Sequence, residues 1–111
     1  MDITFDTDDL RRLCNDDKVA KRTIGAVGAR KLRLRLDDLA AASTLEPMRH
    51  LPGRCHELKG DLAGKLGLDL DGGRRLVIRP NHIPVPTKGD GGLDWSRVTA
   101  VAVTAIGDYH D

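Results

Sequence analysis

The sequence has 111 residues, of which 40% are hydrophobic and 32% are charged. This length allows one domain with a single core, and this balance is typical of a globular chain rather than a disordered one. No apolar run approaches the roughly 20 residues that a membrane-spanning helix needs. The opening stretch Met1–Asp6 lacks the basic and apolar regions of a signal peptide. We therefore expect a single domain over residues 1–111, cytoplasmic and without membrane contact.

The net charge of +1 conceals an uneven distribution along the chain. Acidic residues crowd the start, whereas Lys18 to Arg35 contain seven basic residues and no acidic one. Such a segment attracts a phosphate backbone. A solvated helix face has the same composition and is by itself the more common case, so charge alone does not decide between the two.

The two cysteines, Cys14 and Cys55, do not form a CxxC pair. Zinc sites usually use such closely spaced ligands, so we expect no metal and no other cofactor. Reduced thiols fit a cytoplasmic protein.

The N-terminal half predicts a short strand followed by two helices. Ile3–Phe5 is the strand, and Thr7 is a suitable N-cap for a short helix with acidic residues in its first turn. A longer helix is expected over residues 16–42, because small and apolar residues recur there at helical spacing. Gly25 and Gly28 predict a bend or a close crossing with the first helix. The expected core stripe consists of Ala29, Leu32, Leu36, Leu39 and Ala40.

The C-terminal half predicts strands, after Pro47 and Pro52 end the helical part. The expected strands are Gly53–Leu58, Lys65–Leu70, Arg74–Arg79 and Val98–Ile106. Residues 71–73 (Asp-Gly-Gly) indicate a tight hairpin turn, and residues 80–94 form an irregular loop. The last strand is apolar on both faces, which indicates a position inside the sheet. Helices first and strands afterwards indicate an α+β fold.

No P-loop, dinucleotide-binding, zinc-protease or serine-hydrolase motif is present. A dispersed polar set remains in the strand half, namely His56, Lys59, Arg75, Asp108, Tyr109 and His110. RNA cleavage without a metal needs a base for the 2′-hydroxyl, an acid for the leaving oxygen and cations for the phosphorane. These residue types satisfy that need.

Each of these residues also has an ordinary structural explanation. His56 can be a partly buried strand residue, Lys59 a turn residue and Arg75 a surface charge. Residues 108–111 can be a frayed polar end. The residue types alone leave both interpretations open.

Three motifs in chain order resemble HigB-type toxins, the plasmid maintenance system killer group of the RelE/ParE superfamily. The first is H-x-L-K-G-D, here residues 56–61. An arginine-bearing strand after a tight turn follows, here Arg74–Ile78. The last is a valine-rich strand with an acid-Tyr-His close, here residues 98–110. The resemblance covers about residues 45–111, and the helices before it agree more loosely.

The resemblance implies a RelE/ParE-like fold, with two N-terminal helices packed on a small, mainly antiparallel sheet. It assigns catalysis, or organisation of the site, to His56, Lys59, Asp108, Tyr109 and His110. It assigns an RNA-backbone contact to Arg75, and we expect Arg54 and Arg74 to bind RNA as well. The implied activity is a metal-independent cut of messenger RNA in the ribosomal A site. The implied partners are the ribosome, the messenger and a HigA-like helix-turn-helix antitoxin, with operator DNA bound only through the antitoxin complex.

Two departures from the group limit what the resemblance implies. Many relatives carry an aromatic pair where this chain has Lys65 and Leu66, so base stacking falls mainly on Tyr109. The loop from Arg79 to Trp95 is also longer than in the smallest relatives. The alternatives are a non-catalytic binding protein of the same fold, such as a gyrase poison, or a degenerate antitoxin-binding or regulatory module.

Overall fold

The computed structural model describes residues 1–109, in which two helices pack on a five-stranded sheet. The helices are α1 (Asp8–Asn15) and α2 (Asp17–Ala41). The strands are β1 (Asp2–Phe5), β2 (His56–Glu57), β3 (Leu66–Asp69), β4 (Arg75–Pro80) and β5 (Ala100–Gly107). The strand order is β1-β5-β4-β3-β2, with β1 parallel to β5 and the other neighbours antiparallel. The predicted α+β fold with a mainly antiparallel sheet is confirmed.

Side-chain caps separate the two helices at a single residue. The Thr7 hydroxyl accepts a hydrogen bond from the Leu10 amide at 3.1 Å, which starts α1 as predicted. Asp16 has an extended backbone, and its carboxylate accepts from the Lys18 and Val19 amides at the start of α2. The chain therefore changes direction at Asp16.

The two glycines of α2 have different roles. Gly25 has φ of 79° and ψ of 170°, which breaks the helix and confirms the predicted bend. Gly28 lies under the turn between β3 and β4, where an added Cβ would stand 2.8 Å from the Asp71 carboxylate. The closest approach at Gly28 is therefore to this turn.

The core lies between the helices and one face of the sheet, here called the inner face. It contains the inward residues of β3 and β4, namely Leu66, Leu68, Leu76 and Ile78, together with Val101 and Val103 of β5. The predicted helix stripe is buried at Ala29, Leu32, Leu36 and Leu39, but Ala40 is exposed and was wrongly included. Strand β5 lies between β1 and β4, which explains its apolar sequence.

The turn between β3 and β4 follows its prediction. Gly72 and Gly73 both have positive φ (60° and 79°), and the Arg74 amide donates to the Asp71 carbonyl at 3.0 Å. Two successive positive φ angles belong to the hairpin turn whose twist matches that of its strands. The loop over residues 80–94 is irregular as expected, although Thr87 and Leu93 pair across it.

The strand predicted over Gly53–Leu58 is shorter than expected. Only His56 and Glu57 are in β2, because Gly53 (φ 109°) and Arg54 (φ 50°) form a left-handed turn before it. Pro47 does not end the helical half either, since it lies in the first turn of a 3₁₀ helix over Glu46–His50.

The amino group of Met1 caps the C-terminal end of α2. It donates to the carbonyls of Leu39, Ala40 and Ala42, at the C-terminal end of α2. The last turn of α2 has no basic side chain. The α-ammonium therefore supplies both the donors and the positive charge that a helix C-terminus favours.

No helix within residues 1–109 has the length and hydropathy that crossing a bilayer requires. In the same part of the chain, no group of three or more His, Cys, Asp or Glu residues is arranged to hold a metal ion. Cys14 and Cys55 are free and buried. Burial raises the pKa of the Cys14 thiol to about 11 and that of Cys55 to about 12.

Candidate functional site on the outer face of the sheet

Strand register brings several predicted site residues to one face of the sheet, opposite the inner face and here called the outer face. Paired residues on neighbouring strands point to the same side. One row across the outer face is His56, Gly67, Val77 and Ala105. The next row is Asp69, Arg75 and Gly107. His56, Arg75 and Gly107 therefore share the outer face, although up to 51 residues separate them along the sequence.

The hydrogen bond of His56 determines which ring nitrogen carries the hydrogen in the neutral ring. Its Nδ1 lies 2.7 Å from the Arg54 carbonyl oxygen. A carbonyl can only accept, so Nδ1 carries the hydrogen in the neutral ring and Nε2 carries the lone pair. The half-buried His56 ring therefore presents Nε2 as a proton acceptor.

Gly67 lets two side chains lie flat against the outer face. An added Cβ would stand 3.2 Å from Leu58 Cδ2 and 3.2 Å from Arg75 Cδ. Leu58 is buried, although its position after β2 is next to the exposed Lys59. The glycine thus leaves space for an apolar side chain beside His56 and for the aliphatic part of Arg75.

Arg75 is 7% exposed, so it is not the surface charge that its strand position suggested. Its Nε donates to Asp69 Oδ1 at 3.3 Å, and its Nη1 donates to the Tyr109 carbonyl at 3.3 Å. The guanidinium therefore connects β3 with the segment that follows β5. Its predicted contact with RNA stays a prediction.

Asp69 is the site residue that the sequence analysis missed. Its carboxylate accepts from Arg54 Nε at 2.6 Å as well as from Arg75. Burial alone would raise its pKa, but the hydrogen bonds and positive charges of Arg54 and Arg75 outweigh burial and hold the pKa below its ordinary value. The available signal was an acidic residue between leucines in a strand, at Leu68-Asp69-Leu70.

A third arginine reaches the same place from the helical layer. Arg35 of α2 is buried and donates from Nε to the Asp69 carbonyl at 3.0 Å. Three guanidinium groups thus surround one residue, with Arg54 and Arg75 bonded to the Asp69 carboxylate and Arg35 bonded to its backbone carbonyl. Three arginines close to one aspartate make this region attractive to an anion.

The remaining predicted residues are less tightly held. Lys59 is exposed and precedes a 3₁₀ helix over Gly60–Leu62. Arg74 lies 3.9 Å from Asp71 in a long ion pair. Asp108 is exposed, and His110 lies outside the described residues. Tyr109 is 40% exposed, and its ring lies against Gly107, where an added Cβ would stand 3.1 Å from Cε2.

The outward face of α2 has a mixed apolar and basic character. Val27 and Leu34 are 46% and 51% exposed, and the exposed Arg30 lies between them in the helical sequence. These positions are three and four residues apart, so they form one stripe. Arg33 on the neighbouring position pairs with Asp37. We call the residues Val27, Arg30 and Leu34 the α2 stripe.

Trp95 ties the long loop to the residue beside His56. Its indole Nε1 donates to Glu57 Oε2 at 3.2 Å, and the Arg49 guanidinium lies 3.8 Å from the ring centroid. Trp95 is buried. The loop is therefore anchored at its end near β2, with Glu57 pointing away from the outer face.

A solved structure of similar fold is the YoeB/ParE toxin from Agrobacterium tumefaciens. The TM-score is 0.58 at 17% sequence identity, over 99% of this chain and 100% of that chain. This likeness shows the fold, a RelE/ParE-like arrangement of two helices on a mixed sheet. No protein-family model matches the sequence, and no curated protein matches it.

Proposed function

We propose that this chain is the toxin of a type II toxin–antitoxin system, of the HigB type, and that it cuts messenger RNA on the ribosome. The observation that carries the proposal is the outer face, where His56 presents Nε2 as a proton acceptor near the guanidinium groups of Arg54 and Arg75. The chain has the fold of a YoeB/ParE toxin. The motif order shared with HigB-type toxins supports the same conclusion.

The proposed reaction is an in-line attack by a ribose 2′-oxygen on its own 3′-phosphate. His56 Nε2 takes the proton from the 2′-hydroxyl. The bond from phosphorus to the 5′-oxygen of the next nucleotide breaks, which leaves a 2′,3′-cyclic phosphate. His110 donates the proton that the leaving 5′-oxygen needs. No metal or other cofactor enters this step.

Charge on the phosphorane is balanced by cations of the outer face. The exposed Arg54 and Lys59 are able to contact phosphate oxygens directly, and Arg74 lies in the turn between β3 and β4. Arg75 contributes its charge from a nearly buried position and holds the Tyr109 carbonyl. The half-exposed Tyr109 ring is suited to stack on a base, and we place Asp108 beside His110 as an organising acid.

We propose dependence on the ribosome because the chain offers few phosphate contacts and few aromatic side chains with which to bind free RNA. Each phosphate neutralised on a single strand contributes a salt slope of only about 0.7, so a few contacts hold RNA weakly. A single exposed tyrosine offers one stacking platform, where sequence-tolerant binders usually present several. Orientation of the reacting groups accounts for up to ~7–11 kcal/mol of a barrier. A ribosome that fixes the codon in its A site supplies that orientation.

The proposed inhibitor is a HigA-like helix-turn-helix antitoxin, and operator DNA is bound only through the complex. The α2 stripe is a suitable contact, because exposed Val27 and Leu34 flank a basic residue and match an amphipathic segment with acidic residues. The chain acts as one domain in the cytoplasm in this proposal. A neighbouring open reading frame for a helix-turn-helix protein of roughly 100 residues would support it.

The deciding experiment compares one labelled messenger, free and bound to programmed ribosomes, at physiological salt. Fast cleavage on ribosomes and little cleavage of free RNA is the expected result. Equal rates would refute ribosome dependence and indicate a free-standing ribonuclease. Cleavage in neither case would favour the non-catalytic alternatives, and an assay of DNA gyrase supercoiling would then separate a gyrase poison from a regulatory module.

A further inference from the structure

Asp69 uses every polar group it has in contacts with other parts of the chain. Its backbone N–H donates to the Gly53 carbonyl at 2.7 Å, and its carbonyl accepts from Arg35 Nε at 3.0 Å. One carboxylate oxygen accepts from Arg54 and the other from Arg75. A single residue thus joins α2, the turn before β2, and β4.

The first consequence concerns the turn that carries His56's hydrogen-bond partner. Arg54 is a non-glycine residue in the left-handed region, at φ 50°, and such a conformation persists only where surrounding contacts hold it. Asp69 stabilises this conformation through two hydrogen bonds. Its backbone N–H donates to the Gly53 carbonyl, and its carboxylate accepts from the Arg54 side chain. The next carbonyl, that of Arg54, is the one that accepts from His56 Nδ1.

The Gly53 position shows how closely this turn is packed. An added Cβ would stand 2.5 Å from Arg35 Nε and 2.7 Å from Arg35 Cδ. Arg35 therefore lies directly beside the turn while it donates to Asp69. The direction of the Arg54 carbonyl is consequently set by packing as well as by hydrogen bonds.

The second consequence concerns the other end of the site. The second carboxylate oxygen of Asp69 orients Arg75, whose Nη1 donates to the Tyr109 carbonyl. Arg75 is only 7% exposed, so water has little access to replace a hydrogen-bond partner that is lost. Asp69 therefore also determines where the chain lies as it leaves β5 toward His110.

We propose that Asp69 is a positioning residue that couples the ring of His56 to the Tyr109 segment, so that both ends of the site face one phosphate. Its kinetic consequence rests on the proposed endonuclease function, whereas its effect on the His56 ring does not. Asp69 itself touches no reacting atom in this proposal.

The test is Asp69→Asn, compared with Asp8→Asn as a control of equal charge change on α1. Asparagine replaces one carboxylate oxygen by an NH₂ donor, so Arg54 and Arg75 can no longer each bond a separate acceptor oxygen. On programmed ribosomes we expect kcat to fall roughly 10- to 100-fold while KM changes less than about threefold, because orientation rather than substrate binding is lost. Asp8→Asn should retain wild-type kcat, since Asp8 pairs with Arg11 on the exposed side of α1, away from the outer face.

The second readout is the tautomer of His56, from the ¹⁵N shifts of its ring nitrogens. Wild type should show the hydrogen on Nδ1, and Asp69→Asn should show a mixture of both tautomers. Unchanged kcat together with an unchanged tautomer would overturn the inference. If wild type does not cleave RNA at all, the proposed function fails, and the tautomer comparison still decides the role of Asp69.

A second variant covers the case in which Asp69→Asn does not fold. Arg54→Met removes the exposed end of the network, where the arginine side chain is 70% exposed, and leaves Asp69 paired with Arg75. We expect it to mix the His56 tautomers as well. A pure Nδ1–H tautomer in Arg54→Met would contradict the coupling through the Arg54 turn.

Discussion

His56 and Arg54 are joined by a hydrogen bond of 2.7 Å between a ring nitrogen and a backbone carbonyl two residues away. This bond leaves Nε2 as the proton acceptor, so removal of the ring removes the proposed base. We expect His56→Ala to lower the rate of ribosomal cleavage by about 10²- to 10⁴-fold, the usual contribution of a general base. The measurement is single-turnover cleavage on programmed ribosomes. His50→Ala, at an exposed position of the 3₁₀ helix over Glu46–His50, is the matched control.

The second prediction concerns the proposed acid. Induced expression without the antitoxin should arrest bacterial growth, and His110→Ala should restore growth. The hydrogen-bonded part of β5 ends at Gly107, so we expect the Tm of this variant to stay at the wild-type value. A fully toxic His110→Ala protein would show that the terminal motif is not catalytic.

The third prediction concerns the α2 stripe. We expect Leu34→Asp to weaken binding of the antitoxin by tenfold or more, because it places a charge in an apolar contact. A tenfold change corresponds to about 1.4 kcal/mol of binding free energy. Isothermal titration with the purified antitoxin measures this change. Lys88→Glu in the exposed loop is the control, because it changes charge far from α2 in sequence. A complex that leaves both residues 18–35 and the outer face exposed would disprove the proposed contacts.

The fourth prediction concerns the anchor of the long loop. Trp95→Phe removes the indole N–H that donates to Glu57 and leaves a cavity in the core. We expect a loss of about 1–3 kcal/mol in the free energy of unfolding, measured by urea denaturation. Ile83→Ala should leave stability unchanged, because Ile83 is fully exposed. Equal effects of the two substitutions would argue against the anchor.

The fifth prediction is a dependence of stability on pH through Asp69. The pKa of its carboxyl is lower in the folded protein than its ordinary value of 3.8. The stabilisation is therefore present above that value and is lost as pH falls through the folded pKa. We expect the Tm difference between wild type and Asp69→Asn to be largest near neutral pH and to shrink below about pH 4. A constant difference across this range would contradict the assignment.

Elements with strong local signals could be predicted from the sequence. The cap at Thr7 and the turn over residues 71–73 depend on residues within one or two turns of the chain. Strand β5 was recognisable because burial on both faces requires a continuous apolar sequence. The same local reasoning failed at residues 53–58, since the left-handed Arg54 is held by Asp69, 15 residues further along.

The candidate site was only partly predictable for the same reason. The residue types at His56, Arg75 and Tyr109 were visible, but their common face depends on strand register. The role of Asp69 depends on Arg35, which reaches it from a helix 34 residues earlier. Contacts of this range follow from packing of the whole fold, and no short sequence pattern encodes them.

The Met1 ammonium that closes α2 has a practical consequence for protein engineering. A purification tag fused to Met1 would replace this cation by a neutral amide with one N–H, so the three carbonyls would share a single donor and lose the positive charge. A tag at the opposite end would extend the segment that carries Tyr109 and His110. An internal tag between the exposed Gly89 and Asp90 leaves both ends as they are, and toxicity measured with it reports on the protein itself.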